Sequence, residues 1–151
     1  MAYVAQLNMG YLLHPFGDPR VAGFVDAVEA VNALAERSPG FVWRMSDRDL
    51  QRRGNTPGAF FGRPDRAIAT VSVWESDAAL AEFVLRGVHG QFLSRRAEWF
   101  EKLDAASYVL WPVEDRHRPG LAEGKAKLLE LRENGPSAAA YDLGWAQARA
   151  G

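Results

Sequence analysis

The chain has 151 residues, of which 48% are hydrophobic and 25% charged, enough to bury a core of its own. A formal net charge of −1 gives no field that favours nucleic acid or an anionic membrane, and the lack of cysteine excludes disulfides, thiolate metal sites and a cysteine nucleophile. The expectation is one domain over residues 1–151, in a cytoplasmic setting, with neither nucleic acid nor membrane as partner.

The opening AYVAQLNMGYLL lacks a basic leader and is too short and polar for a signal peptide or a membrane span. Residues 3–13 read instead as a first strand. Tyr3, Ala5, Leu7, Met9 and Tyr11 share one parity; Val4, Gln6, Asn8 and Gly10 share the other. Asp18-Pro19 opens a helix, with Asp as cap and Pro in the first turn, and Val21, Phe24, Val25, Val28, Val31 and Ala35 follow at helical spacing. Ser38-Pro39-Gly40 stops it, and residues 41–46 read as a second strand. Residues 47–66, rich in Arg, Gly and Pro, read as a long loop. Residues 68–75 read as a third strand with Ile68, Thr70, Ser72 and Trp74 on one face. Ser76-Asp77 caps the next helix, which Gly87 and Gly90 kink or divide. A fourth strand over 106–113, a helix over 119–134 closed by Gly135-Pro136 and a short edge strand over 141–145 complete the chain.

The order βαββαβ with an α–β tail predicts an α+β, ferredoxin-like fold. Both parities of the strands are apolar: Leu7 and Met9 oppose Val4, and Leu110 opposes Val109 and Trp111. Helices cover only one face of such a sheet, so the other predicts an association surface: a homodimer packed sheet to sheet, a dimeric α+β barrel.

No dinucleotide-binding glycine run, phosphate loop, HExxH, GxSxG or calcium-loop pattern is present, which argues against nucleotide, zinc-protease and serine-hydrolase chemistry. The chemistry-bearing stretch is Trp74 with His89 and the residues that follow. His89 shares a helix stripe with Phe92, Arg96 and Phe100. It can serve as a general base or a donor to an oxyanion, or be satisfied by a strand carbonyl or Glu75. Adjacent residues on a helix sit about 100° apart, so one of Arg95 and Arg96 leans inward. Arg96 is the candidate, with Glu75, Glu98 or an anionic ligand as its partner. Asn8 completes the polar set. Trp43, Trp74, Phe83, Phe92, Trp99, Tyr108 and Trp111 are candidate walls for a hydrophobic aromatic substrate, or core. His14 and His117 read as loop residues, and Arg44 and Glu75 as a cross-strand pair.

The blocks AQLN, DPR, FVDAVEAVNALAERSPGFVWR, SVWES, H-x5-RR-x2-WF, YVLW, HRP and LRENGP occur in order between residues 3 and 143. Together they resemble the bacterial family called domain of unknown function 3291. That resemblance implies membership of the dimeric α+β barrel superfamily, which holds cofactor-independent monooxygenases, haem-degrading enzymes, other haem proteins, isomerases, cyclases and simple binders. Two blocks depart from the family: LWPVEDRHRP, with Pro112 at a customary aromatic, and AAYDLGWA near the end. The resemblance implies first a small enzyme without cofactor: a monooxygenase-like protein, a cyclase or an isomerase. His89 would be its base, and Asn8 and Arg96 its oxyanion or substrate holders. It implies second a haem protein with His89 as axial ligand, Asn8 beside the haem and Phe83 at the position of a helix aromatic, although His89 stands about one turn early. The third reading is a non-catalytic ligand-binding module.

Overall fold

The computed structural model describes residues 3–86 and 95–150. Four antiparallel strands form one sheet in the order β2–β3–β1–β4: β1 Tyr3–Tyr11, β2 Phe41–Arg44, β3 Ala67–Trp74 and β4 Tyr108–Val113. β1 lies at the centre, with Asn8 opposite Thr70 on β3 and Tyr108 on β4, and Gln6 opposite Ser72 and Leu110. With α1 (Ala22–Glu36) and α4 (Asp77–Leu85) as the crossovers, this is the ferredoxin-like α+β arrangement that the strand order predicts.

Local chemistry sets the element ends. The Asp18 carboxylate accepts from the Arg20 amide, and Pro19 starts a 3-10 turn that leads into α1. The Ser76 hydroxyl caps α4 by accepting from the Ala79 amide at 3.1 Å. Gly40, at φ 84°, makes the turn into β2 that L side chains resist.

Three expectations change. Residues 47–66 are not a structureless loop, for they hold α2 (Asp47–Leu50) and α3 (Pro57–Phe61). Ser46 caps the first, Thr56 with Pro57 starts the second, and the Asn55 amide donates to the Asp49 carbonyl at 2.8 Å. Residues 141–145 make no edge strand: Tyr141 forms a single bridge with Leu110, and the Asp142 carboxylate then caps α7 (Leu143–Ala150). The segment after α4 re-enters the described chain as the short α5 (Arg96–Trp99).

The third change concerns the sheet face that bears Leu7. It is not bare. α6 (Leu121–Asn134) lies across it, helped by α2 and α3, and Ala5, Leu7, Met9, Val73, Val109 and Trp111 are fully buried there with Leu121 and Leu128. A Cβ at position 124 would stand 2.6 Å from Leu7 Cδ1, so Gly124 lets α6 settle on β1. The apolar surface that predicted a sheet-to-sheet homodimer is closed by the chain itself, and a dimer on this side would form over α6.

Candidate functional site

The opposite face of the sheet, toward α1 and α4, is built differently. Its apolar packing falls into two clusters. One gathers Val4, Trp74, Leu80, Leu110 and Tyr141 with Phe41 and Phe83; the other gathers Leu12, Val21, Phe24, Trp99 and Phe100 with Ile68. The strand residues between them are polar: Gln6 and Asn8 on β1, Thr70 and Ser72 on β3. Strand alternation puts all four on one face.

This polar strip is only partly self-satisfied. The Gln6 side-chain amide donates to Ser72 Oγ at 2.9 Å and to Thr70 Oγ1 at 3.3 Å. The Trp74 indole N–H also donates to Ser72 Oγ, at 2.9 Å, which fixes the indole at the end of the strip. Two hydroxyl protons and Gln6 Oε1 are left without a protein partner among the described residues. Asn8 is half-buried, and its side chain makes no hydrogen bond there. A half-buried carboxamide with nothing to bind is a ready donor and acceptor for a ligand.

Arg96 approaches the same face from α5. Its Nη2 donates to Ser107 Oγ at 3.2 Å, and its guanidinium sits 5.6 Å from the centre of the Phe100 ring. That ring lies on Gly10, where a Cβ would come within 3.0 Å of it, so Arg96 belongs to the Gly10 end of the strip. Arg96 is half-buried, and burial lowers its pKa. Arg95 points out: it pairs with Glu98 at 2.8 Å and rides 4.7 Å above Trp99. Glu98 is therefore not the partner of Arg96, and no carboxylate lies within 4.0 Å of Arg96 among the described residues.

The aromatic candidates divide between the faces. Trp74 is fully buried and stacks on Phe83, with ring centres 5.2 Å apart and planes 26° apart. Tyr108 is half-buried on the same side, and its hydroxyl accepts from the Leu143 amide at 3.1 Å. Burial raises its pKa. Trp99 belongs to the far cluster, 6.0 Å from Phe24. Trp43 and Trp111 lie on the α6 side, so the sheet separates them from Asn8 and they cannot line the strip. The Trp111 indole donates to Glu123 Oε2 at 2.8 Å, and His117 meets the other oxygen of that carboxylate at 2.6 Å. Arg44 pairs with Glu36 at 2.7 Å rather than with Glu75. His89 and Phe92 lie outside the described residues.

Gln6, Thr70, Ser72 and Ser107 are the site residues that the sequence analysis did not single out. The shared parity of Thr70, Ser72 and Trp74 was the available signal. Two open clefts, of about 320 and 390 Å3, flank α4, and neither is lined by strip residues. No cluster of three His, Cys, Asp or Glu able to hold a metal ion exists among the described residues. Nor do those residues suit haem. His14 lies beyond the end of β1 and His117 is engaged with Glu123 on the α6 side, so neither offers a ring nitrogen to the strip. No described helix is long and apolar enough to cross a membrane.

The profile of the family described as Domain of unknown function (DUF3291) matches residues 3–150. A comparison with curated proteins finds no match. Among solved structures, a conserved protein from Methanosarcina mazei Go1 is similar with a TM-score of 0.53 and 10% identity, over 76% of this chain and 95% of that one. SnoaB, a cofactor-independent oxygenase from Streptomyces nogalater, is similar with a TM-score of 0.50 and 14% identity, over 76% of this chain and 96% of that one. A protein from Pseudomonas aeruginosa gives 0.50 and 9%, over 78% and 97%. At these identities the likeness is one of fold.

Proposed function

We propose, for a chain that belongs to the DUF3291 family, that the helix side of the sheet binds a hydrophobic ring-bearing small molecule and turns it over without a cofactor. The reaction is monooxygenase-like, or a cyclisation or isomerisation that starts from the same proton abstraction. The observation that carries this reading is the polar strip of Gln6, Asn8, Thr70 and Ser72, set as a break between two apolar clusters. A core built for stability alone fills such a break with aliphatic side chains, because a polar group without a partner costs free energy there. The likeness in fold to SnoaB, described as a cofactor-independent oxygenase, supports the same reading.

The chemistry needs a base, a place for the charge and exclusion of water. His89 is the proposed base, from the sequence. Removing a proton next to a carbonyl or phenol leaves a carbanion whose charge is shared with oxygen. Asn8 Nδ2 and the Arg96 guanidinium are the donors proposed to hold that oxygen. In a monooxygenation such a carbanion gives its electrons to dioxygen and forms a C–O bond to a peroxide, which takes up a proton and loses water to leave a carbonyl, so the substrate is the reductant and the protein need supply no redox group. The clusters around Trp74 and Phe100 would hold the rings and keep water out.

The test is oxygen uptake with a panel of fused-ring phenols in chelator-treated buffer. Asn8→Ala and His89→Ala should each lower kcat by about 100-fold or more, the usual cost of losing an oxyanion donor or a base, while melting as the parent does. Turnover unchanged in both variants would contradict the assignment.

A further inference from the structure

We infer that the molecule taken by this site is an acid, a planar aromatic carboxylate whose carboxylate is bound by Arg96 at the Gly10 end of the strip while its rings lie over Asn8 and Thr70. The inference rests on the reading above and adds the charge and direction of the ligand.

Arg96 differs from the other two half-buried arginines, for Arg44 is paired with Glu36 and Arg66 holds the Leu13 carbonyl, while Arg37, Arg48, Arg53, Arg116, Arg118 and Arg149, which also have no carboxylate within 4.0 Å among the described residues, are exposed. Arg20, Arg44, Arg52, Arg63, Arg86 and Arg95 each have a carboxylate within 4.0 Å. Arg66 and Arg132 donate to the backbone carbonyls of Leu13 and Ala106. Among the described residues, half-buried Arg96 holds only the neutral Ser107 hydroxyl and the face of Phe100. Its neighbours were not short of acids. Glu98 and Glu101 stand within a few residues, and both are spent on exposed arginines, Arg95 and Arg63. A cation removed from water and left without a counter-charge is costly, and a bound anion relieves that cost.

The geometry also suits a carboxylate. Ser107 engages one guanidinium nitrogen, which leaves the remaining N–H groups of the fork for a two-oxygen acceptor. The Phe100 ring rests against Gly10 and would give the acid end of the ligand an apolar neighbour. Asn8 lies two residues back along β1 from Gly10, about 7 Å at strand rise, on the scale of a fused ring pair.

The test compares 2-naphthoate with 2-naphthamide, which have nearly the same shape and differ in charge, by calorimetric titration of the whole chain. The parent should bind naphthoate about 10- to 100-fold more tightly, the value of a charge-assisted hydrogen bond. Arg96→Gln should bring the two probes to within about twofold, and Arg96→Lys should restore part of the preference. Equal binding of both probes by the parent, lost in Asn8→Ala, would overturn the anion while leaving the site reading intact. A preference for naphthoate that survives Arg96→Gln would move the anion elsewhere and overturn the inference. Binding of neither probe would overturn both readings. The ratio measured on the parent needs no variant to fold.

Discussion

The two faces of the sheet share every strand and differ in what they hold. Toward α6 the packing is continuous and mostly apolar, and its polar contacts are closed: the Tyr11 hydroxyl donates to the Phe61 carbonyl, and the Trp111 indole donates to Glu123, which His117 also meets. Toward α1 and α4 the apolar packing breaks around Gln6, Asn8, Thr70 and Ser72, and half-buried Arg96 stands at the margin with no counter-charge among the described residues. Adjacent residues on β1 therefore do different things: Leu7 is sealed under Gly124, while the Asn8 side chain has no hydrogen-bond partner among the described residues. One face is closed by apolar packing, and the other keeps polar groups that have no protein partner among the described residues.

That contrast breaks most readily at Leu7. Leu7→Ala should lower stability by about 2–5 kcal/mol, read from chemical denaturation, because Leu7 is fully buried against α6 and its loss leaves a cavity. Gly124→Val tests the same contact from the other side. Its Cβ would overlap Leu7, and a loss of about 1–3 kcal/mol is expected for overpacking. Glu123→Leu should cost about 1–3 kcal/mol by leaving the Trp111 N–H unpaired, with a shift in tryptophan emission as a second readout. The smallest effect is a pH dependence. Burial and the hydrogen bond to Asp77 raise the Tyr141 phenol above its ordinary value of about 10. That contribution to stability is fully present below about pH 10 and is lost as the pH climbs toward the folded value. Tyr141→Phe should therefore show a shallower alkaline fall in its urea midpoint than the parent.

The strands were legible because alternation on β1 and β3 is strong, and the caps at Asp18 and Ser76 announce their helices. The helices of residues 47–66 were not, since four- and five-residue turns of DRDL and PGAFF carry no periodicity. Which sheet face α6 would cover was also hidden: Leu121, Leu128 and Leu131 mark an apolar stripe, but a stripe does not name its partner. That choice is what removed Trp43 and Trp111 from the candidate site. β2 adds a register shift between Phe41 and Trp43, which defeats counting by twos. Helix geometry says that one of Arg95 and Arg96 leans inward but not which. The lack of a carboxylate beside Arg96 was not readable either, because Glu98 lies within reach of either arginine in sequence and only the fold gives it to Arg95.

The most direct test of the division between the faces is a thermal melt of Asn8→Ala beside the parent, each with and without 2-naphthoate at a hundredfold excess over the Kd of the parent. The parent should gain about 5–10 °C from the ligand. Asn8→Ala should melt within about 2 °C of the parent when free and gain little from the ligand. A variant that loses several degrees on its own yet keeps the full gain from the ligand would show that Asn8 belongs to the core rather than to a site.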